Sequence, residues 1–296
     1  MHHRSFGGKL FEGFNYVFLV ACALLCIFPI IHVFAVSFSS STAAASGQVT
    51  LWPVGFNLSS YKYALNNPQF LASFLVTLKR VALGVSVNML LTIFAAYPLS
   101  KERGDLFGRN VYSWYLFITI IFSGGLIPWY MTVNQLGLMD SVWALILPGA
   151  LPVFNVLILL NFFRQLPKEI GESAFIDGAG HWSILGRIYL PLSKPALATL
   201  VLFTCVGHWN SWFDGLILMS SPHHYPLQSY LQTIIVNRDM SLFTTASQEE
   251  LKALSQVSDR TLKSAQIFIA AAPILAVYPF LQKYFMKGIV MGSVKG

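Results

Sequence analysis

The stretch Glu172–Pro191, ESAFIDGAGHWSILGRIYLP, is a polar interruption in an otherwise apolar sequence. It carries Glu172, Asp177, His181 and Arg187 between two long hydrophobic segments. Ala174, Phe175, Gly178 and Ala179 lie at helical spacing on one side and Glu172 and Asp177 point away, so a short amphipathic helix is expected first. Gly178 and Gly180 then break that helix. A helical pattern resumes over Trp182 to Tyr189, and Pro191 with Pro195 opens the next segment. A helix-turn-helix flush with a membrane surface is a docking element, because its polar backbone ends are tolerable only where water or a partner satisfies them.

Composition places that element beside a membrane. Only 10% of the 296 residues are charged and 55% are hydrophobic, whereas an ordinary soluble chain is about one-quarter charged. Mean hydropathy is +0.61. The chain is therefore an integral membrane protein. Its net charge of +7 bears on topology and not on nucleic acid, since the basic residues are spread over loops and are not gathered on an aromatic-rich face. Cys22 and Cys26, one turn apart in an apolar run, and Cys205 in another read as small apolar residues, not as a metal site or disulfide. The sequence has no G-x-x-x-x-G-K-[ST] loop to cradle ATP phosphates, no H-E-x-x-H and no G-x-S-x-G, so no catalytic or metal-binding residues are expected. His223-His224 beside Pro222 and Pro226 reads as a turn with interfacial histidines.

In chain order, a polar start with Arg4 and Lys9 leads to an apolar run at Phe14–Val36, long enough to span a bilayer and too long for the core of a cleaved signal. Residues 37–69, rich in Ser, Ala, Asn and Pro, read as an ordered external loop with interfacial aromatics. A second span is expected at Phe70–Leu99. A charged connection follows, from Lys101 to Arg109. The third span is expected at Val111–Tyr130, containing Ser123-Gly124-Gly125 and Pro128, and the fourth at Ser141–Phe163, kinked at Pro148 and Pro152. Residues 164–194 form the polar loop. The fifth span is expected at Pro195–Met219, a long external loop at 220–262, and the sixth span at Leu262–Phe285. The fold class is thus all-α, with six transmembrane helices and the short docking helix between the fourth and fifth. Residues 1–69 would form an N-terminal tail, first helix and external loop, and 70–296 the core, with a tail at 286–296. Arg4, Lys101, Arg109, Arg164, Lys168, Arg187, Lys194 and Lys287 fall on the side of the termini and central loop, so that side is cytoplasmic.

The spacing E-x-A-x-x-x-G, nine residues, I-x-L-P at Glu172, Ala174, Gly178, Ile188, Leu190 and Pro191 resembles the cytoplasmic "EAA" loop of permease subunits in binding-protein-dependent ABC importers. Ser173 replaces the usual second small residue. Asp177-Gly178-Ala179, Pro191-Leu192-Ser193-Lys194-Pro195 and the tail from Lys287-Gly288 to Gly296 are similar to the carbohydrate-uptake, maltose-type branch. The resemblance runs from about Phe70 to the end. It implies a bacterial cytoplasmic-membrane protein that pairs with a second homologous permease, two ATPase subunits and an extracytoplasmic solute-binding protein. ATP and Mg would be bound by the ATPases, with no cofactor in this chain. Glu172, Ser173, Ala174, Asp177, Gly178 and Ala179 would couple to an ATPase, with Asp177 capping the following turn, and Ser293, Val294, Lys295 and Gly296 would reach between the ATPases.

Candidate pathway residues are Lys79, Arg80, His208, Trp209, Asn210 and Trp212. Lys79 and Arg80 either snorkel from the outer end of their span or form a basic lining at the pathway's outer mouth. His208, Asn210, Ser211 and Asp214 with Trp209 and Trp212 combine hydroxyl-binding groups with flat apolar faces, as sugar sites do. The same residues also suit interhelical hydrogen bonding with a partner permease. The overall similarity points to oligo- or polysaccharides such as alginate or pectin fragments, and to the shorter of the two permease partners. An ion-coupled secondary transporter is the alternative. It would need mid-membrane carboxylates, for which Asp214 is the one candidate, and it leaves the docking loop unexplained. A membrane-embedded enzyme would need a pair such as His208 with Asp214, which share no helical face closely.

Overall fold

The computed structural model describes residues 6–102, 104–236 and 258–293, and every regular element among them is helical. The chain divides into two compact units, Met1–Phe70 with Thr233–Ala272, and Leu71–Gln232 with Pro273–Gly296. Four helical segments are long and apolar enough to cross a bilayer: Gly7–Ser37, Pro68–Ser100, Leu147–Gln165 and Asp259–Val277. Two bent helix pairs raise the number to six if each counts as one span. The all-helical expectation holds for the described residues, for the reason that a chain in lipid must satisfy its backbone internally.

In the first unit, α1 (Phe6–Ser37) is apolar all round, and its most apolar stretch is unburied within the chain. Such a helix needs lipid or another subunit around it. Residues 37–69 are not simply a loop, because they form α2 (Ser41–Ala45) and α3 (Ser59–Asn66). The Ser40 hydroxyl caps α2 at the Ala43 amide. Ala35, Val36, Ala43, Ala44 and Val49 make a small core, and Phe38 stacks on Phe56 and Tyr61 with ring centroids 5.6 and 4.6 Å apart. Arg260 donates to the Ala44 carbonyl at 3.1 Å, which places a guanidinium on the negative end of α2.

The second unit is built on α4 (Pro68–Ser100). Two guanidiniums meet its C-terminal end: Arg109 Nε and Arg164 Nη2 donate to the Leu99 carbonyl at 3.0 and 3.1 Å. The expected third span is not one helix. It is α5 (Arg109–Ile121) and α6 (Leu126–Gln135), bent by 117° across Ser123-Gly124-Gly125. The fourth is not a kinked continuous helix either. Residues 141–146 are turns, a 3-10 turn covers Leu147–Gly149, and α7 (Val153–Gln165) begins only after Pro152. Proline lacks the donor a continuing helix needs, so Pro148 and Pro152 delimit elements here.

Beyond the polar loop's α8 (Lys168–Ile176) and α9 (His181–Leu192), which includes a π-helical turn at Leu185–Tyr189, comes α10 (Lys194–Asn210). The expected fifth span ends nine residues early, because Ser211 is extended and α11 (Phe213–Leu218) starts anew. The expected loop at 220–262 contains α12 (Leu227–Val236), while residues 237–257 lie outside the described ones. The last helix, α13 (Asp259–Ser293), covers the sixth expected span. The core of this unit joins α4, α7, α9 and α10 through Tyr97, Leu159, Phe163, Ile184 and Leu200.

One ionised residue sets a turn between helices. Asp140 adopts φ 57°, its Oδ1 accepts from the Ser220 and Ser221 amides at 3.0 and 3.3 Å, and its Oδ2 pairs with His224 Nδ1 at 3.0 Å. The hydrogen bond from His224 is the largest cause holding this carboxyl below its ordinary value, and the two amides add to it against partial burial. A lowered folded value means the staple's contribution is present above about pH 4 and is lost as pH falls through that lowered value. Asp140→Asn is expected to flatten the acid limb of the stability profile. Thermal unfolding from about pH 3 to 7 checks this, and an unchanged acid limb would show that Asp140 contributes nothing there.

Candidate functional site

The polar loop folds only partly as its residues suggest, because Phe175 and Gly178, expected on the packed side with Ala174 and Ala179, are exposed. Phe175, Asp177 and Glu172 are exposed on α8, Ala174 and Ala179 pack on the core, and Gly171 is buried. A side chain at Gly171 would meet the Tyr189 hydroxyl at 3.5 Å, so α8 lies close on α9. Tyr189 is held in turn by Lys101, whose ammonium donates to its hydroxyl at 3.0 Å and sits 4.4 and 4.6 Å from the ring centroids of Tyr189 and Tyr97. Lys168 pairs with Glu102, and this contact lowers the Glu102 carboxyl and raises the Lys168 ammonium from their ordinary values. The outward face carries Glu169, Glu172 and Ile176, the last 86% exposed. An isoleucine left in water beside carboxylates, on a short rigid helix, has the makings of a contact surface.

Gly178 ends α8 at φ +82°, with open space where a side chain would go. The turn closes through Gly178 N to Phe175 O at 3.0 Å and Ala179 N to Ala174 O at 2.9 Å. Asp177 is the C-cap of α8, and it does not cap the next helix as expected. Gly180 occupies that N-cap without a side-chain hydrogen bond. Gly178→Ala is expected to cost about 1–2 kcal/mol through left-handed backbone strain alone, and Gly178→Asn distinctly less, as asparagine tolerates that region. Thermal unfolding of the two variants checks the order; equal melting points would remove the strain argument. In the tail, only the backbone of Ser293 is described, at the end of α13, and Val294, Lys295 and Gly296 lie outside the described residues.

The second site is a cleft of about 460 Å³ within the second unit, walled by α4, α7, α10 and the turns before α7. Arg80, only 2% exposed, lies at its edge. Arg80 Nη1 donates to Asp214 Oδ1 at 3.1 Å, Nη2 donates to Oδ2, and the Ser211 and Leu145 carbonyls each accept at 3.4 Å. Asp214 also accepts from the Ser211 hydroxyl and the Gly215 amide, at 2.8 and 2.9 Å. The break after α10 is thus what turns Asp214 toward α4. His208 lines the cleft, with Nε2 buried and unpartnered against Gly84. A side chain on Gly84 would lie 2.5 Å from that nitrogen.

Of the pathway residues expected from sequence, Arg80 and His208 line the cleft. Lys79 is exposed on another face of α4. Trp209 is buried with its ring edge-on to Phe74 at 6.0 Å, Trp212 is exposed beside Phe213, and Asn210 is exposed. Ser211 and Asp214, also read from sequence as polar groups, line the cleft as well, and so do Asn88, Asn155 and Thr204, which are absent from the residues picked out by sequence. A signal for Asn88 existed. Ser73, Thr77, Arg80, Gly84, Asn88 and Thr92 recur every three or four positions along α4, and all are buried. A polar stripe on an apolar helix faces the protein interior.

The model of the family described as "Binding-protein-dependent transport system inner membrane component" matches residues 1–290. The chain belongs to that family. The permease is 40% identical over 294 residues to "Protein LplC" of Bacillus subtilis (strain 168), covering 99% of this chain and 98% of that one. It is also 40% identical over 288 residues to that organism's "Polygalacturonan/rhamnogalacturonan transport system permease protein YtcP", covering 97% and 99%. Among solved structures, a chain of a bacterial ABC transporter involved in the import of the acidic polysaccharide alginate superposes with TM-score 0.88 at 33% identity, covering 96% of this chain and 100% of that one. The family membership makes this an inner-membrane, multi-pass component of a transport system that depends on a binding protein. It decides for a permease over an ion-coupled carrier or an enzyme.

Proposed function

We propose that the permease forms half of the translocation pathway of an ATP-driven importer for an oligo- or polysaccharide, an acidic one such as pectin or alginate fragments. The observation that carries this reading is likeness over nearly the whole chain: 40% identity to the polygalacturonan/rhamnogalacturonan permease, with the alginate transporter chain superposing at TM-score 0.88. A second, related permease supplies the other half, and a solute-binding protein delivers the sugar from outside. Two ATPase subunits bind ATP and Mg on the cytoplasmic side, where the termini and α8 lie.

In this reading α8 seats in a groove of an ATPase subunit. Glu172, Ser173, Asp177 and the exposed Ile176 meet that subunit, and Ala174 and Ala179 hold the helix to its own core, so that ATPase closure moves α8 and the core together. Ser293, Val294, Lys295 and Gly296 reach between the two ATPases. The support is the exposed polar and apolar face of α8 over a packed inner face.

The test is Gly178→Asp in the complete importer, with ATP hydrolysis stimulated by loaded binding protein as the readout. Aspartate is among the side chains that tolerate a left-handed backbone, so the variant alters charge at the docking surface more than it alters the fold. Wild type should show stimulated hydrolysis, and the variant should lose stimulation or ATPase association while staying in the membrane. A variant that behaves as wild type would remove the coupling role.

A further inference from the structure

We propose that Lys101 is a positioning residue for energy coupling: it ties α8 and α9 to the end of α4, so that a displacement of α8 takes α4 with it. This rests on the reading in which α8 docks on an ATPase subunit, and carries that reading inward. α8 meets two side chains of α9. A Cβ at Gly171 would lie 3.5 Å from the Tyr189 hydroxyl, and the Phe175 ring stands edge-on to His181 at 4.9 Å. The same two residues meet α4. Tyr97 stands edge-on to Tyr189 at 5.2 Å and to His181 at 6.2 Å, and its hydroxyl lies 3.4 Å from His181 Nδ1. Lys101, one turn beyond Tyr97, closes the set. Its ammonium donates to the Tyr189 hydroxyl at 3.0 Å and lies over the rings of both tyrosines, at 4.4 and 4.6 Å.

Other contacts span this joint and hold it less firmly. The Lys168–Glu102 pair is exposed at both ends, where water screens it. The edge contact of Phe94 with Trp182, at 5.6 Å, involves a tryptophan that is 75% exposed. Lys101 differs in kind. A hydrogen bond from a charged donor is roughly twice as strong as a neutral one, and each tyrosine ring adds attraction for the cation. A lysine that merely snorkelled would hold its ammonium in water, whereas this one is half-buried between two buried tyrosines. α4 itself is continuous from Pro68 to Ser100. Arg80, at the edge of the cleft, lies on it roughly 30 Å from Lys101 at about 1.5 Å per residue. A displacement delivered to the end of α4 thus reaches the cleft wall. If the tie is weakened tenfold, ATPase closures that move α8 and leave α4 in place become about ten times more frequent. The resting permease then no longer restrains the ATPases, and ATP is hydrolysed idly.

The experiment uses the complete importer, isolated as intact complexes in lipid nanodiscs, and measures ATP hydrolysis per complex without binding protein. Lys101→Met keeps the apolar stem and removes the charge and the donor. Its idle hydrolysis is expected to rise about tenfold, the worth of the lost charged hydrogen bond, with the complex still assembled. Lys101→Arg keeps a cation and a donor, and is expected to bring the idle rate back toward that of wild type. Tyr189→Phe keeps both rings and loses the acceptor, so its rate should fall between those of wild type and Lys101→Met. An idle rate in Lys101→Met equal to that of wild type, or an arginine no better than methionine, would overturn the tie. A Lys101→Met complex that falls apart instead of hydrolysing faster would show a merely structural lysine, and overturns it equally. Gly178→Asp run alongside separates the two readings. If that variant loses stimulated hydrolysis while Lys101→Met leaves the idle rate unchanged, only the role of Lys101 fails. If Gly178→Asp behaves as wild type, the docking of α8 fails and this inference with it.

Discussion

Asp214→Ala is expected to destabilise the permease by about 3–5 kcal/mol, the cost of stranding a buried charge. Arg80 is the more enclosed partner, with 3% of its side chain exposed against 18% for Asp214. Without the carboxylate its guanidinium keeps only the Ser211 and Leu145 carbonyls, both at 3.4 Å, and its Nε is already unpartnered. The reverse change, Arg80→Met, is expected to cost less. The stranded Asp214 retains the Ser211 hydroxyl and the Gly215 amide and lies nearer solvent. The double variant Arg80→Met with Asp214→Ala is expected to recover part of the loss, since it strands neither charge. Thermal unfolding of the four proteins in detergent reads the cycle. Additive single losses, with no recovery in the double, would mean that the two side chains do not interact as drawn.

Gly84→Ala has an expected sign opposite to that of helix propensity. Alanine in a helix interior is about 1 kcal/mol better than glycine, so an open position would be stabilised. Here the new methyl group would lie 2.5, 2.7 and 2.8 Å from Nε2, Cε1 and Cδ2 of His208, and atoms do not approach that closely. The imidazole must leave its place against α4, and overpacking of this kind costs about 1–3 kcal/mol. Because His208 lines the cleft, the same change disturbs the cleft wall. Adding His208→Ala removes the obstacle, and the pair is expected to be at least as stable as His208→Ala alone. Melting temperatures of Gly84→Ala, His208→Ala and the double variant decide the matter. A stabilised Gly84→Ala would show that the ring moves freely and that Gly84 is not a packing requirement.

Much of the architecture was legible in the residues, because the dominant constraint is local. An apolar stretch in lipid must form a helix, so composition and run length suffice for class. The loop at Glu172 was legible for the same reason, since its polar residues, Gly178 and Pro191 stand out against an apolar background. Helix continuity was less so. Ser123-Gly124-Gly125 and Pro148 with Pro152 were visible as irregularities, yet whether such residues bend a helix or end it depends on what neighbours the freed backbone groups find. The end of α10 at Asn210 shows this, since no proline or glycine follows at once, and the break is held by the hydrogen bonds of Asp214.

By itself, then, the sequence determined an all-helical inner-membrane chain, a short polar helix closed by a glycine turn, and the family to which these belong. Tertiary structure decided the chemistry of the cleft. Arg80 in isolation is a positive charge inside a membrane helix; 134 positions further on, Asp214 meets it, and the charge is cancelled. Trp209 is a potential sugar platform by type, and its burial against Phe74 turns it into packing. Long-range pairing decides whether a charge is cancelled and which face of a ring is covered, and neither is carried by a residue or its near neighbours.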